Sequence, residues 1–389
     1  MSNIAQIAFP SRYIQGPGAI SMLPSLVSNY GSSAILIVDP FVHKNILPSL
    51  DFMGDHDEHR ENQQEGLLQG GEGNQRPMFL TQVFGGECTD TEIQRLVNAR
   101  RSVSCVIGLG GGKTLDTAKA VSAHLKVPII LCPTAASTDA PTSARAVIYN
   151  DRGSVCQYLD LPRNPDIVLL DTDIIVNAPV RLFISGMGDA LSTYFEANSC
   201  RLKGAANSTC GAGHDHPGTM LAYVVAETCY KTLLEYGELA LTSAKAGAVT
   251  PAFEKVVEAN TLLSGVGFES GGLGCAHAVH NGLSELPECH TMFHGEKVAL
   301  GVLTGLFFAD ADKKMIHEVY SFCEAVTLPT TLEELGVVDI TDEKLDIVAK
   351  RTMEDGESIF NELKPVSVPA IKAAILAADY EGRQRKGLV

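Results

Sequence analysis

The chain has 389 residues, of which 45% are hydrophobic, and its 30 basic and 46 acidic side chains give a formal net charge of −16 at pH 7. This length fits two globular domains, and the acidic balance argues against a nucleic-acid surface or an anionic membrane as the main partner. The first ten residues lack the basic start and apolar run of a secretory signal, so we expect a cytoplasmic protein.

Five apolar runs alternate with amphipathic segments in the first half of the chain. They end at Asp39, Phe84, Gly110, Pro133 and Asp171. Continuous Val, Ile and Leu runs are typical of strands buried on both faces, and their alternation with helices predicts a parallel sheet. We therefore predict an α/β domain over residues 1–178.

Residues 51–77 interrupt this alternation, because they are rich in Gly, Gln, Glu and His and contain few apolar side chains. We interpret this stretch as a surface insertion. Its His56 and His59 are predicted to be solvated, since a polar loop offers no preorganised metal cage.

A glycine turn, defined as residues 108–114 (GLGGGKT), joins a predicted strand to a helix running from Lys113 to about His124. The free N–H groups of such a turn bind phosphate with help from the helix dipole. A strict P-loop would need Gly at position 107, which is Ile, and a Rossmann turn would need Gly at position 113, which is Lys. The turn therefore predicts a pyrophosphate without naming a family.

Polar groups follow two other predicted strands. Asp39 either accepts hydrogen bonds from an adenosine ribose, which would favour NAD over NADP, or caps a helix. A hydroxyl-rich loop, defined as residues 134–143 (TAASTDAPTS), carries more small polar side chains than a turn requires. Ligands of parallel sheets bind at the carboxyl ends of the strands, where both features lie.

After Asp171 the strand signals end and helical patterns dominate, among them Leu221–Tyr236, Pro251–Ser264 and Glu296–Phe308. We predict a helical second domain over residues 179–389, with the ligand in the cleft between the two domains. The apolar stretch 298–309 is shorter than a membrane span.

Three segments of the predicted helical domain carry Asp189, His277 and His294. One carboxylate and two imidazoles are enough to hold a divalent metal and leave one coordination position open for substrate. Spacing alone leaves a second interpretation open, in which Asp189 caps a helix and the histidines fill polar niches.

Five ordered motifs resemble the metal-dependent (iron-containing) alcohol dehydrogenase superfamily, and within it the branch that oxidises glycerol. They are GGGKTLDTAKA up to position 120, PTAASTDAPTS up to 143, EANTLLSG up to 265, FESGGLG over 268–274, and HGEK from His294. The resemblance covers nearly the whole chain. It implies a dehydroquinate synthase-like fold and NAD-dependent oxidation of glycerol, or a related vicinal diol, to dihydroxyacetone. It also implies a homo-oligomer, often an octamer.

The resemblance further implies Zn²⁺ held by Asp189, His277 and His294, with Fe²⁺ or another divalent metal as alternatives, and Asp139 in contact with the polyol. The positions implied to contact NAD are Asp39, Gly110, Gly111, Gly112, Lys113, Thr114, Asp116, Thr134, Ala135, Ser137, Ser143, Arg145 and Tyr149.

The chain departs from the family pattern at two positions. Thr193 stands where the iron-using branch has a fourth ligand, a His one helical turn after the Asp, which favours three protein ligands and Zn²⁺. Arg145 adds a cation near the cofactor loop where relatives often carry an apolar residue. Arg145 would favour NADP and Asp39 favours NAD; we give Asp39 more weight, because its place at a strand end is better defined.

Three other histidines lie near the ligand segments. His280 follows His277 by three residues and is predicted to shape the substrate pocket, whereas His290 is predicted to be a bystander. His216 is predicted to lie in a surface loop with His214.

Two other functions remain open at this stage. A dehydroquinate synthase-like lyase would use NAD transiently and would need several Lys and Arg side chains, but segments 186–198 and 268–297 offer only Lys297. A nucleotide-binding protein without turnover is the second alternative.

Overall fold

The computed structural model describes residues 4–50, 77–99, 102–150, 155–208 and 216–389. Nearly all of the predicted insertion 51–77 therefore lies outside the described residues, as do His56, His59 and His214. Pro77, the last residue of that range, is buried directly before the strand that begins at Met78, and the insertion stays a prediction.

Six strands form the parallel sheet, in the order β1-β8-β5-β4-β2-β3. These are β1 (Tyr13–Gly16), β2 (Ser33–Val38), β3 (Met78–Val83), β4 (Cys105–Gly110), β5 (Ile129–Pro133) and β8 (Ile167–Asp171). The five predicted apolar runs form β2, β3, β4, β5 and β8, which confirms the predicted sheet. The four-residue β1 lies at the sheet edge and was not predicted, because it has no continuous apolar run.

A separate antiparallel hairpin pairs β6 (Arg145–Tyr149) with β7 (Val155–Asp160). Five helices belong to the sheet-containing part. They are α1 (Leu23–Ser28), α2 (Pro40–Asn45), α3 (Asp90–Ala99), α4 (Gly112–Leu125) and α5 (Thr172–Ile175). Adjacent strand residues such as Ile35 and Leu36 enter apolar clusters on opposite faces, which explains the unbroken apolar runs.

Nine helices make up the rest of the described chain, in which no strand follows β8. They are α6 (Val180–Lys203), α7 (Met220–Lys245), α8 (Pro251–Glu258), α9 (Ser264–Gly271), α10 (Cys275–Leu283), α11 (His294–Ala309), α12 (Lys313–Ala325), α13 (Asp342–Thr352) and α14 (Val368–Arg385). A π-helical turn, Ala259–Leu263, connects α8 to α9. The α/β part followed by a helical part confirms the predicted fold class.

The two parts contact each other through buried polar groups. Oε1 of Glu269 in α9 accepts a 2.9 Å hydrogen bond from the backbone N–H of Ala144, and Asn164 donates to its Oε2. The helix α6 begins at Val180, directly after Pro179. The division into domains at residues 178 and 179 stays a prediction. Among the described helices, none combines the length and apolarity that crossing a bilayer would need.

Candidate metal and nucleotide site

Two glycines bring the first turn of α11 against the middle of α6. A Cβ on Gly188 would lie 2.3 Å from the carbonyl oxygen of Gly295, and a Cβ on Gly295 would lie 1.7 Å from that of Ser185. Only glycine allows backbones to approach this closely. The approach places Asp189, which is fully buried in α6, beside His294 at the start of α11.

Glu196 orients His277 on the neighbouring helix α10. Its Oε1 accepts hydrogen bonds of 2.9 Å from the backbone N–H groups of Gly274 and His277, and its Oε2 lies 2.7 Å from Nδ1 of His277. A carboxylate accepts hydrogen bonds, so Nδ1 carries a proton, and in the uncharged ring the lone pair lies on Nε2.

The three predicted ligands converge on one point. Nε2 of His277 and Nε2 of His294 lie 3.4 and 3.1 Å from Oδ1 of Asp189, and the ligating atoms all lie within 4.8 Å of one another. The buried Oδ1 makes no hydrogen bond of acceptable geometry. Two imidazole nitrogens and an unsatisfied carboxylate oxygen fit a divalent cation of the zinc type. The interpretation that Asp189 caps a helix is wrong, because Asp189 lies in the middle of α6.

The charges of this metal triad (Asp189, His277 and His294) are strongly coupled. Burial alone would raise the pKa of Asp189, but the two imidazoles hold the pKa of that carboxyl far below its usual range. Burial would likewise lower the pKa of His277, but Glu196 and Asp189 outweigh it and raise the pKa well above that of ordinary histidine. A divalent cation must therefore displace a proton from this site.

Asp139 lies next to the metal triad at the end of a hydrogen-bond chain. Its backbone N–H donates to Oδ2 of Asp189 at 3.3 Å, and its own Oδ2 accepts a 2.6 Å bond from Oγ of Ser264. Oγ1 of Thr193 lies 2.9 Å from the same Ser264 hydroxyl. Burial and the charge of Asp189 raise the pKa of Asp139 well above its usual value. Thr193, at the position of the missing fourth ligand, thus supports Asp139 through Ser264.

The glycine turn forms an open cradle at the start of α4. The N-cap of this helix is Gly111, which has no capping side chain, and a Cβ on Gly111 or Gly112 would meet nothing within 4 Å. A Cβ on Gly110 would instead lie 2.8 Å from Cβ of Asp39. The bare backbone and the helix N-terminus fit a phosphate group, with Asp39 at its side.

Asp39 is the N-cap of α2, as the alternative interpretation predicted. Its Oδ1 accepts hydrogen bonds from the N–H groups of Phe41 at 2.8 Å and Val42 at 3.3 Å. Both bonds use the same oxygen, so the cap and a contact between Oδ2 and a ribose hydroxyl are compatible.

The hydroxyl-rich loop runs from the glycine turn to the metal triad. At one end the N–H of Thr134 donates to the carbonyl oxygen of Gly110 at 3.1 Å, and at the other Asp139 contacts Asp189. Asn260 in the π-helical turn donates to the carbonyl oxygen of Ala136 at 3.0 Å. Ala135 and Ser137, on the same stretch, are partly exposed.

Three of the predicted cofactor positions are buried in scaffold contacts. Oδ2 of Asp116 accepts a 3.0 Å bond from the N–H of Val147, and Oγ of Ser143 donates to the carbonyl oxygen of Ala140 at 3.1 Å. Thr114 is buried in the first turn of α4. Contact of these three side chains with a cofactor stays a prediction.

Three other predicted cofactor residues, Lys113, Arg145 and Tyr149, are at least partly exposed and form ion or ring pairs. Nζ of Lys113 lies 2.6 Å from Glu87 and 5.0 Å from the ring centre of Tyr149. Arg145 pairs with Asp160 across the hairpin at 2.8 Å. Burial is the main cause that raises the pKa of Tyr149 to about 12. Their cofactor contacts also stay predictions.

Sequence reasoning missed Glu196, Ser264 and Asn260, which hold the predicted site residues in place. A signal for Glu196 was available, because it follows Asp189 by seven residues and so lies on the same face of α6. Ser264 and Asn260 lie in a motif that the resemblance identified, but nothing local indicated their partners.

The remaining described histidines of this part of the chain lie in three different surroundings. The ring centre of His280 lies 4.2 Å from that of His294 and 6.4 Å from that of His277, so it lines the space beside the metal triad. His290 is exposed beyond a short 3₁₀ turn. The backbone oxygen of His216 accepts a 2.8 Å bond from the N–H of Asn207.

The chain is similar in sequence and in structure to known alcohol and glycerol dehydrogenases. A family model described as iron-containing alcohol dehydrogenase matches residues 64–172. The chain is 50% identical over 386 residues to a glycerol dehydrogenase of Thermotoga maritima, covering 99% of this chain and 100% of that protein. It is 45% identical over 380 residues to a glycerol dehydrogenase of Citrobacter freundii, covering 97% and 98%. A solved glycerol dehydrogenase structure from Schizosaccharomyces pombe superposes with a TM-score of 0.87 at 36% identity, covering 100% of this chain and 94% of that one.

Proposed function

Because this chain belongs to the iron-containing alcohol dehydrogenase family, in its glycerol dehydrogenase branch, we propose that it oxidises glycerol to dihydroxyacetone with NAD as hydride acceptor. The observation that carries the proposal is the path of the hydroxyl-rich loop. It begins at the phosphate cradle of Gly110 and ends at Asp189 of the metal triad. A dinucleotide lying along this loop would extend from its phosphates towards the metal.

Asp189, His277 and His294 would hold the divalent cation, with Zn²⁺ favoured by the three-ligand set. When bound, this cation supplies positive charge that lowers the pKa of a substrate hydroxyl, without being oxidised or reduced. Glu196 keeps Nε2 of His277 directed at the cation through its bond to Nδ1.

The chain's own residues position the polyol and the nicotinamide. Asp139 lies beside the metal triad and offers a carboxyl group to a second substrate hydroxyl, with its Oδ2 fixed by Ser264. Asn260 fixes the middle of the hydroxyl-rich loop through the carbonyl oxygen of Ala136. Asp39, whose Cβ lies close to Gly110, would accept a hydrogen bond from the adenosine ribose, which favours NAD over NADP.

The decisive experiment is metal analysis and an NAD-dependent diol panel on the same preparation. We expect about one tightly bound divalent metal per chain and net NADH formation from glycerol, lost on chelation and restored by Zn²⁺. His277→Ala should lose metal and activity together, while the exposed His290→Gln serves as the matched control. Full activity of His277→Ala with metal retained would overturn the ligand assignment. A substrate turned over without net NADH would indicate the lyase chemistry instead.

The proposal also covers the cellular location and the oligomeric state of the enzyme. We place the enzyme in the cytoplasm, supported by the nine described cysteines, all of which are free thiols and eight of which are buried. We also expect a homo-oligomer, with an octamer as the first candidate. A mass measurement in solution that gives a monomer at micromolar concentration would contradict this expectation.

A further inference from the structure

His280 lies beside the metal triad and is not one of its three ligands. Its ring packs at 58° against that of His294, with the ring centres 4.2 Å apart, and both side chains are partly exposed. Both rings are therefore accessible from solvent. Nζ of Lys297 donates a 2.7 Å bond to Oγ of Ser284, which in turn donates to the backbone oxygen of His280 at 2.9 Å.

The hydrogen-bond partners of His280 determine which ring nitrogen carries the proton. Nδ1 of His280 lies 3.0 Å from Oδ1 of Asn281. The amide group of Asn281 lies 3.2 and 3.0 Å from the two carboxylate oxygens of Glu357, which also contacts Arg351. A carboxylate only accepts hydrogen bonds, so the NH₂ of Asn281 must face Glu357 and its carbonyl oxygen must face His280.

It follows that Nδ1 of His280 is the donor and Nε2 holds the lone pair. Glu357 and Asn281 thus fix His280 as a hydrogen-bond acceptor beside the metal.

We propose that Nε2 of His280 accepts a hydrogen bond from a polyol hydroxyl that does not bind the metal, and that Asn281 and Glu357 are positioning residues which hold the acceptor tautomer. This inference rests on the proposed function, because it assigns a specificity contact within the same site. It predicts that the enzyme distinguishes vicinal diols from alcohols with a single hydroxyl partly through His280.

The tautomer is tested by ¹⁵N NMR on Zn²⁺-loaded protein with labelled histidine, using His280→Gln to assign the signals. We expect a protonated Nδ1 and an unprotonated Nε2 at His280. A proton on Nε2 would overturn the proposal. This readout needs no substrate, so it stands even if the wild-type protein oxidises no polyol, in which case the proposed function itself fails.

The specificity contact is tested by comparing kcat/KM for glycerol and for 2-propanol in Asn281→Leu and Glu357→Gln. We expect glycerol to lose about tenfold relative to 2-propanol in both variants, as one hydrogen bond would predict, with metal content unchanged. An equal loss for both substrates would show a merely structural role and overturn the proposal. Asn281→Leu and the NMR measurement decide the matter if Glu357→Gln fails to fold, and His290→Gln is the control.

Discussion

Nδ1 of His277 and Oε2 of Glu196 lie 2.7 Å apart, and this pair connects α10 to α6 beside the metal triad. The same carboxylate accepts the backbone N–H groups of His277 and Gly274, so it fixes both the ring and the helix start that carries it. Carboxylates that hold a ligating imidazole in this way raise its basicity and its metal affinity.

The first prediction concerns Glu196→Gln, which keeps the size of the side chain and removes its charge. We expect Zn²⁺ affinity to fall by about 10- to 100-fold while the fold is kept. Competition with a chelator measures the affinity, and Glu238→Gln on the exposed face of α7 is the matched control. Unchanged affinity in Glu196→Gln would contradict the positioning role.

A second prediction concerns the contact between α6 and α11. In Gly295→Ala the new Cβ would lie 1.7 Å from the carbonyl oxygen of Ser185, so the first turn of α11 must shift and take His294 with it. We expect loss of bound metal and a decrease of about 1–3 kcal/mol in the free energy of unfolding.

The control for this change is Gly305→Ala in the same helix, whose Cβ would make an ordinary 3.4 Å contact with Cys275. Thermal unfolding and metal analysis on both variants provide the measurement. If Gly295→Ala kept full metal content and the wild-type melting temperature, the close approach would not determine the site.

Gly111→Ala separates stability from cofactor binding. The added Cβ meets no atom within 4 Å and the φ angle of −87° suits alanine, so the melting temperature should not change. The same methyl group would occupy the phosphate cradle, and we expect NAD affinity to fall by at least about tenfold. Calorimetric titration with NAD measures this, and retention of wild-type affinity would show that the phosphate binds elsewhere.

The fourth prediction is a pH dependence of metal binding. The raised pKa of His277 stabilises the metal-free fold fully below about pH 6.5, and this contribution is lost as pH rises through the folded-state pKa. The cation requires the uncharged ring, so protons compete with it across that same range. The increase in melting temperature on adding Zn²⁺ should therefore be larger at about pH 8.5 than at about pH 6.5. An increase independent of pH would be inconsistent with this competition.

Asp139→Asn tests the role of the carboxyl group beside the metal triad. The substitution leaves the three metal ligands in place, and Ser264 can still donate a hydrogen bond to the amide oxygen of the new Asn side chain. The metal content should therefore be unchanged. We expect kcat/KM for glycerol to fall by roughly 100-fold, as for removal of one positioned polar group near the reacting atoms. Steady-state kinetics and metal analysis on one preparation check this. Loss of metal would assign Asp139 to the metal site instead.

The local character of the chain was predictable from the sequence. Continuous apolar runs predicted β2, β4, β5 and β8, because strands of a covered parallel sheet are buried on both faces. The glycines at positions 110–112 predicted a phosphate cradle, because a helix start without side chains exposes its N–H groups. The hairpin of β6 and β7 was missed, since its strands are short and neither contains a long run of Val, Ile and Leu.

Spacing by itself left the metal triad open between a metal site and three unrelated polar residues, and only the ordered motifs favoured the metal. The tertiary structure brings its atoms together, because Gly188 and Gly295 allow two backbones to touch across more than a hundred residues of chain. The hydrogen-bond partners of Thr193 and Asn281 were equally unpredictable, and for Glu196 the spacing indicated only the face of α6 on which it lies. The hydrophobic periodicity of a sequence indicates which face of a helix or strand is buried. Contacts between side chains of different elements depend instead on how closely those elements pack.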